Sequence, residues 1–142
     1  MKAIVSASAE ATPQFYDLDP LNIVWHGNYP KYLELGRCAV MEKIGYGYSE
    51  MAASGYVWPF IDYRMRYARP MRLNTPVRIT AGIVEWESMM RIVYAIEEVE
   101  TGERVMRASS SQVAVSIETN EMQWQSPQVF LDKLAPFLPR SA

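Results

Sequence analysis

The chain has 142 residues, with 14 Lys and Arg against 16 Asp and Glu, one His and one Cys, for a formal net charge of −2. That length fits a single domain over residues 1–142, which can bury roughly two-thirds of its unfolded surface without a staple. The interspersed charge provides no basic field for nucleic acid, the lone Cys38 excludes an internal disulfide, one His and one Cys give no metal-ligand cluster, and no apolar run nears the ~20 residues of a membrane span.

No charged-then-apolar leader opens the sequence, so a cytoplasmic protein is expected. Met1 to Ala11 are small and polar enough to fray, with a first strand expected towards Tyr16 and Leu18. Asp19 precedes Pro20, which disfavours helical backbone and makes the pair an extended or turn dipeptide. Asn28 is a good N-cap, and Pro30 falls in the first helical turn, where its missing N–H would be unpaired anyway. Tyr29, Leu33, Gly36, Val40 and Ile44 then recur at helical spacing, Lys31, Glu34, Arg37 and Glu42 fall mostly elsewhere on the wheel, and Gly45 supplies the stop. Gly36 in mid-helix predicts close packing on whatever lies beneath.

Ser49 to Ser54 reads as a short helical turn closed by Gly55. From Val57 the period changes to two, which predicts one long strand to Tyr67. Arg69 to Pro76 is a turn region, Val77–Val84 and Arg91–Glu97 are strands across a tight connection at Ser88-Met89, and Thr101-Gly102 offers a hairpin turn. Arg104 to Ile117 is a further strand, and Gln128 to Leu138 an amphipathic helix started by Ser126-Pro127. A strand, a long helix and four consecutive antiparallel strands imply an α+β domain with a curved antiparallel sheet wrapped around one long central helix.

The run Asp19-Pro20-Leu21-Asn22-Ile23-Val24-Trp25-His26-Gly27-Asn28-Tyr29, followed by Lys31-Tyr32-Leu33-Glu34, resembles the signature of the 4-hydroxybenzoyl-CoA thioesterase group of hotdog-fold acyl-CoA thioesterases. The resemblance continues more faintly through Tyr67-Ala68-Arg69-Pro70-Met71-Arg72-Leu73. It implies hydrolysis of an acyl-CoA or acyl-carrier-protein thioester with no cofactor, and a homodimer or homotetramer with sites at the subunit interface. By the same resemblance Asp19 is the reacting carboxylate, as nucleophile or general base, and the backbone N–H of His26 is the oxyanion donor.

Chemically, one carboxylate and one oxyanion site suffice, because a thiol with a pKa of about 8.5 leaves readily as a thiolate. Free N–H groups near His26, Gly27 and Asn28, at the positive end of the helix dipole, supply the donors. Gly27 would let substrate approach the backbone, and Trp25, Tyr29, Tyr32 and, across a dimer, Pro59, Phe60 and Ile61 would line the acyl site. Each has an ordinary alternative: Asp19 as a turn former, His26 as a solvated loop residue, the aromatics as core or interface. Asp17 reads as a hydrogen-bonding support or a solvated residue. Arg64, Arg66, Arg69 and Arg72 form the densest basic run, either a solvated or interface face or a holder of CoA phosphates or an acidic carrier. Two other readings are an acyl-thioester hydratase or dehydratase, which would pair His26 with a carboxylate, and a non-catalytic acyl-thioester-binding protein.

Overall fold

The computed structural model describes residues 2–139. In chain order the elements are β1 (Val5–Ala11), α1 (Tyr29–Lys43), α2 (Tyr48–Ala53), β2 (Tyr56–Val57), β3 (Phe60–Tyr67), β4 (Val77–Glu85), β5 (Met90–Glu98), β6 (Arg104–Gln112), β7 (Val115–Ser116) and α3 (Gln128–Leu134). Five strands form one antiparallel sheet in the order β1-β4-β5-β6-β3, and α1 lies across its inner face against β1 and β4. No helix among the described residues is long and apolar enough to cross a membrane.

The helix obeys its periodicity. Tyr29, Leu33, Gly36, Val40 and Ile44 are all buried, and Gly45 ends the helix at φ 76°. A Cβ on Gly36 would stand 2.7 Å from Ile79 Cγ2, so the bare backbone is what lets α1 sit on β4. Gly36→Ala gains about 1 kcal/mol of helix propensity. It also forces a methyl into a packed core, which costs about 1–3 kcal/mol. The expected result is a net loss of stability, read as a lower midpoint in urea.

Several sequence expectations are corrected. The first strand is Val5–Ala11 rather than a segment near Tyr16, because its alternate small residues pair with β4 along the sheet edge while Phe15–Asp17 closes into a 3-10 turn. The strand expected from Val57 to Tyr67 breaks at Trp58-Pro59, where proline has no N–H for a ladder. The strand expected to reach Ile117 likewise breaks after Gln112, and the last helix ends at Leu134 with a 3-10 turn over Ala135–Phe137. Arg37 is buried, its guanidinium held by Glu34 and Tyr48 and lying over the rings of Tyr48 and Phe60.

The largest correction is topological. β3 does not pair with the strand that follows it but crosses to the far edge of the sheet and pairs with β6. The connection from Ala68 to Pro76 makes that crossing under the start of α1, where Val24 N–H donates to Met71 O at 2.9 Å and Asn74 N–H donates to Pro13 O at 3.1 Å. This loop is what encloses the helix N-terminus.

Candidate active site

The loop before α1 is tied down at Asp17. Its carboxylate is buried and accepts from Gln14 N–H at 3.0 Å, Lys31 Nζ at 3.1 Å and Tyr32 Oη at 2.7 Å. Its carbonyl accepts from Trp25 N–H and from Asn28 Nδ2, both at 2.9 Å. Asn28 therefore does not cap the helix with its side chain, as its type predicts, but spends its amide on staking the loop. Burial pushes the Asp17 carboxyl up, yet these three donors and the Lys31 charge together hold it below its ordinary value. Burial and the bond to Asp17 push the Tyr32 hydroxyl up, keeping it a donor.

A group whose folded pKa is depressed stabilises the fold above its unfolded pKa and loses that contribution as pH falls through the folded value. Asp17→Asn is therefore expected to cost about 1–3 kcal/mol at pH 7. The gap between variant and wild type should close as pH falls below the ordinary carboxylate value of 3.8. Thermal unfolding of both proteins from pH 7 to pH 2.5 checks this, and a gap that widens in acid would contradict it.

Two residues further on, Asp19 is half-buried in a tight turn. Oδ1 accepts from Leu21 N–H at 2.8 Å, the Asp19 N–H donates to Ile23 O and Asn22 N–H donates to Asp19 O, each at 2.9 Å, with Asn22 at φ 67°. The other carboxylate oxygen has no donor among the described residues. His26–Asn28 then form a 3-10 turn that runs straight into α1. Asn28 N–H donates to Trp25 O and Tyr29 N–H to His26 O, leaving the His26 and Gly27 N–H groups without an acceptor among the described residues.

Asp19 and His26 line one cleft of about 320 Å³ with Leu21, Ile23, Val24, Tyr29, Tyr67, Ala68, Arg69 and Pro70. The Tyr29 and Tyr67 rings meet edge to face with centroids 4.8 Å apart, and Tyr29 Oη accepts from Met71 N–H at 3.1 Å. Burial raises the Tyr29 hydroxyl pKa against that bond, with the charge of Asp19 adding to it. Tyr67 Oη donates weakly to His26 O at 3.4 Å, and Arg69 pairs with Glu103 at 3.0 Å.

Of the residues expected at a site, the structure brings Asp19, His26 and Tyr29 together. Gly27 meets Trp25 rather than open space: a Cβ there would lie 2.4 Å from the Trp25 ring. Trp25, Gly27 and Asn28 flank the cleft without lining it, and Tyr32 lies outside it, buried with its hydroxyl on Asp17. Pro59 and Phe60 sit at the opposite end of β3, where Phe60 lines a separate cavity with Arg37, Tyr48 and Trp58. Seven residue steps along the strand separate Phe60 from Tyr67, about 23 Å. Tyr67 was the lining residue most open to discovery, since its period-two spacing from Tyr63 and Met65 puts it on the inner face.

A curved five-stranded antiparallel sheet on one long helix, with a carboxylate loop at the helix start, is a hotdog fold. The chain belongs to the Thioesterase-like superfamily, which matches residues 13–140. It is 27% identical over 111 residues to the Bacillus subtilis (strain 168) protein YneP, provisionally named an acyl-CoA thioesterase, covering 78% of this chain and 80% of that one. Among solved structures it is similar to a 1,4-dihydroxy-2-naphthoyl-CoA thioesterase from Synechocystis, with TM-score 0.81 and 12% identity over 92% of this chain and 96% of that one. It is also similar to a hypothetical protein of Staphylococcus aureus in complex with CoA, with TM-score 0.83 and 14% identity over 100% and 90% of the two chains. At such identities these two likenesses speak for the fold.

Proposed function

We propose that the protein hydrolyses an acyl thioester of CoA or of an acyl carrier protein, with Asp19 as the reacting carboxylate. The observation that carries this reading is the meeting of Asp19 and the acceptor-free start of α1 in one cleft. The finer resemblance of the Asp19-to-Tyr29 run to the 4-hydroxybenzoyl-CoA thioesterase group points the same way.

In the general-base route, the uncommitted oxygen of Asp19 takes a proton from water, whose oxygen attacks the thioester carbonyl carbon. In the nucleophilic route, Asp19 itself attacks to give a mixed anhydride that water then opens. Either way negative charge gathers on the carbonyl oxygen, where the His26 N–H and the helix dipole stabilise it, a donor at such a site being worth about 3 kcal/mol. The C–S bond breaks and its electron pair leaves with the thiolate. Tyr29 and Tyr67 exclude water from one side of the cleft.

The active unit would be a homodimer, or a homotetramer built from it. β3 is an eight-residue strand on the open edge of the sheet, with Phe60, Ile61 and Tyr67 exposed along it. An unpaired apolar edge of this length is a template for another strand. Antiparallel pairing of β3 with a second copy about a two-fold axis would carry the Phe60 end of that copy towards the Tyr67 end of this one. Pro59 and Phe60 would then reach the cleft from the other subunit.

The test is thiol release from a panel of aliphatic and aromatic acyl-CoAs and acyl carrier proteins, followed with a thiol-reactive dye. Hydrolysis of at least one member is the expected outcome. No release from any of them would overturn the assignment.

A further inference from the structure

The strand register sets a group of arginines on the face of the sheet that points away from α1. Two cross-sheet rows define it. Ser8, Thr80, Ala95, Arg107 and Arg66 stand in one row, and Ser6, Gly82, Val93, Ser109 and Arg64 in the next. Each row is small and uncharged until it reaches β6 and β3, where Arg66 directly opposes Arg107. Arg64, Arg66 and Arg107 are all exposed and none makes an ion pair among the described residues.

Like charges directly opposite one another across two strands destabilise a sheet. Within one protomer no acid among the described residues forms an ion pair that offsets this cost. Asp62 is two residues before Arg64 on the same face of β3, and Glu97 stands opposite Arg104, but neither forms an ion pair with Arg64, Arg66 or Arg107. A depression of about 490 Å³ lies among these residues, lined by Arg64, Arg66, Arg107 and Ser109 together with Met65 and Ala108.

We propose that Arg64, Arg66 and Arg107 form an anion site for a phosphate group, with the Ser109 hydroxyl as a further donor. Three guanidinium forks lining one depression suit a compact, multiply charged tetrahedral anion, which can bridge them and cancel their repulsion. The small side chains of the two rows leave the approach open. The inner face carries Tyr63, Met65 and Tyr67, so this site lies on the other side of the sheet from the Asp19 cleft. The proposal does not depend on the hydrolytic reading.

The phosphate can be free or carried on a nucleotide. The experiment is thermal unfolding at pH 7.5 and constant ionic strength in chloride, inorganic phosphate or adenosine 3′,5′-bisphosphate, for wild type, Arg107→Gln and the Arg66→Gln/Arg107→Gln double variant. Phosphate should raise the wild-type midpoint by about 3 °C or more over chloride at saturation, and the double variant should lose the shift. Relief of the repulsion should also leave Arg107→Gln at or above the wild-type midpoint in chloride alone. A shift with both ligands identifies free phosphate as sufficient, and a shift with the bisphosphate alone assigns the site to a nucleotide-borne phosphate. Equal midpoints in chloride and in both ligands, or a shift that survives in the double variant, would overturn the proposal.

Discussion

Asp19→Asn is expected to lower kcat for thiol release by about 10²- to 10⁴-fold, the range of a positioned acid or base, with little change in KM. The substitution is a clean probe because of how the turn is built. Asparagine keeps a side-chain oxygen to accept the Leu21 N–H, which Asp19 Oδ1 holds at 2.8 Å, and the backbone bonds of Asp19 to Ile23 and Asn22 do not involve the side chain. The loop should therefore keep its shape and the unfolding midpoint should barely move. What disappears is the negative charge. An amide neither takes a proton from water at neutral pH nor attacks a thioester. Equal rates in the two proteins would remove Asp19 from the mechanism.

The second large effect is on stability. Phe130 of α3 is fully buried, with its ring centroid 4.8 Å from that of Trp58 and 5.8 Å from that of Tyr46. Tyr46 and Trp58 are joined in turn by a hydrogen bond from Trp58 Nε1 to Tyr46 Oη at 3.2 Å. This cluster fastens the C-terminal helix to the segment that follows α1. Phe130→Ala removes most of the ring's contacts and leaves a hole between two aromatic rings that cannot close over it. A loss of about 3–5 kcal/mol is expected. Domains of this kind have about 5–15 kcal/mol in all, so the urea midpoint should fall by a large fraction while the slope stays the same. A midpoint within error of wild type would mean that α3 contributes little to the cooperative unit.

The two substitutions act on parts of the chain that were unequally legible in the sequence. The Asp19 turn was readable because its cause is local: a carboxylate before proline, and a helix start within ten residues. The aromatic cluster was not, because Tyr46, Trp58 and Phe130 come from three elements and each reads alone as an ordinary apolar residue. Arg37 failed for a related reason. Its charge places it on the wet face of a helical wheel, whereas Glu34 and Tyr48 satisfy it in a buried position that no periodicity encodes.

The sequence by itself determined the long helix, its buried face, the glycine that lets it sit on a sheet, and the acid placed just ahead of its N-terminus. These depend on spacing within a few residues, where backbone preference and side-chain period act directly. Only the tertiary structure decided that β3 crosses to β6, and so that Tyr67, Arg69 and Pro70 close the cleft around Asp19 while Arg66 comes to face Arg107. Which strand pairs with which is fixed by contacts between distant segments, here Val24 with Met71 and Pro13 with Asn74. Period-two alternation gives a strand its two faces, but the choice of neighbour belongs to the packed whole.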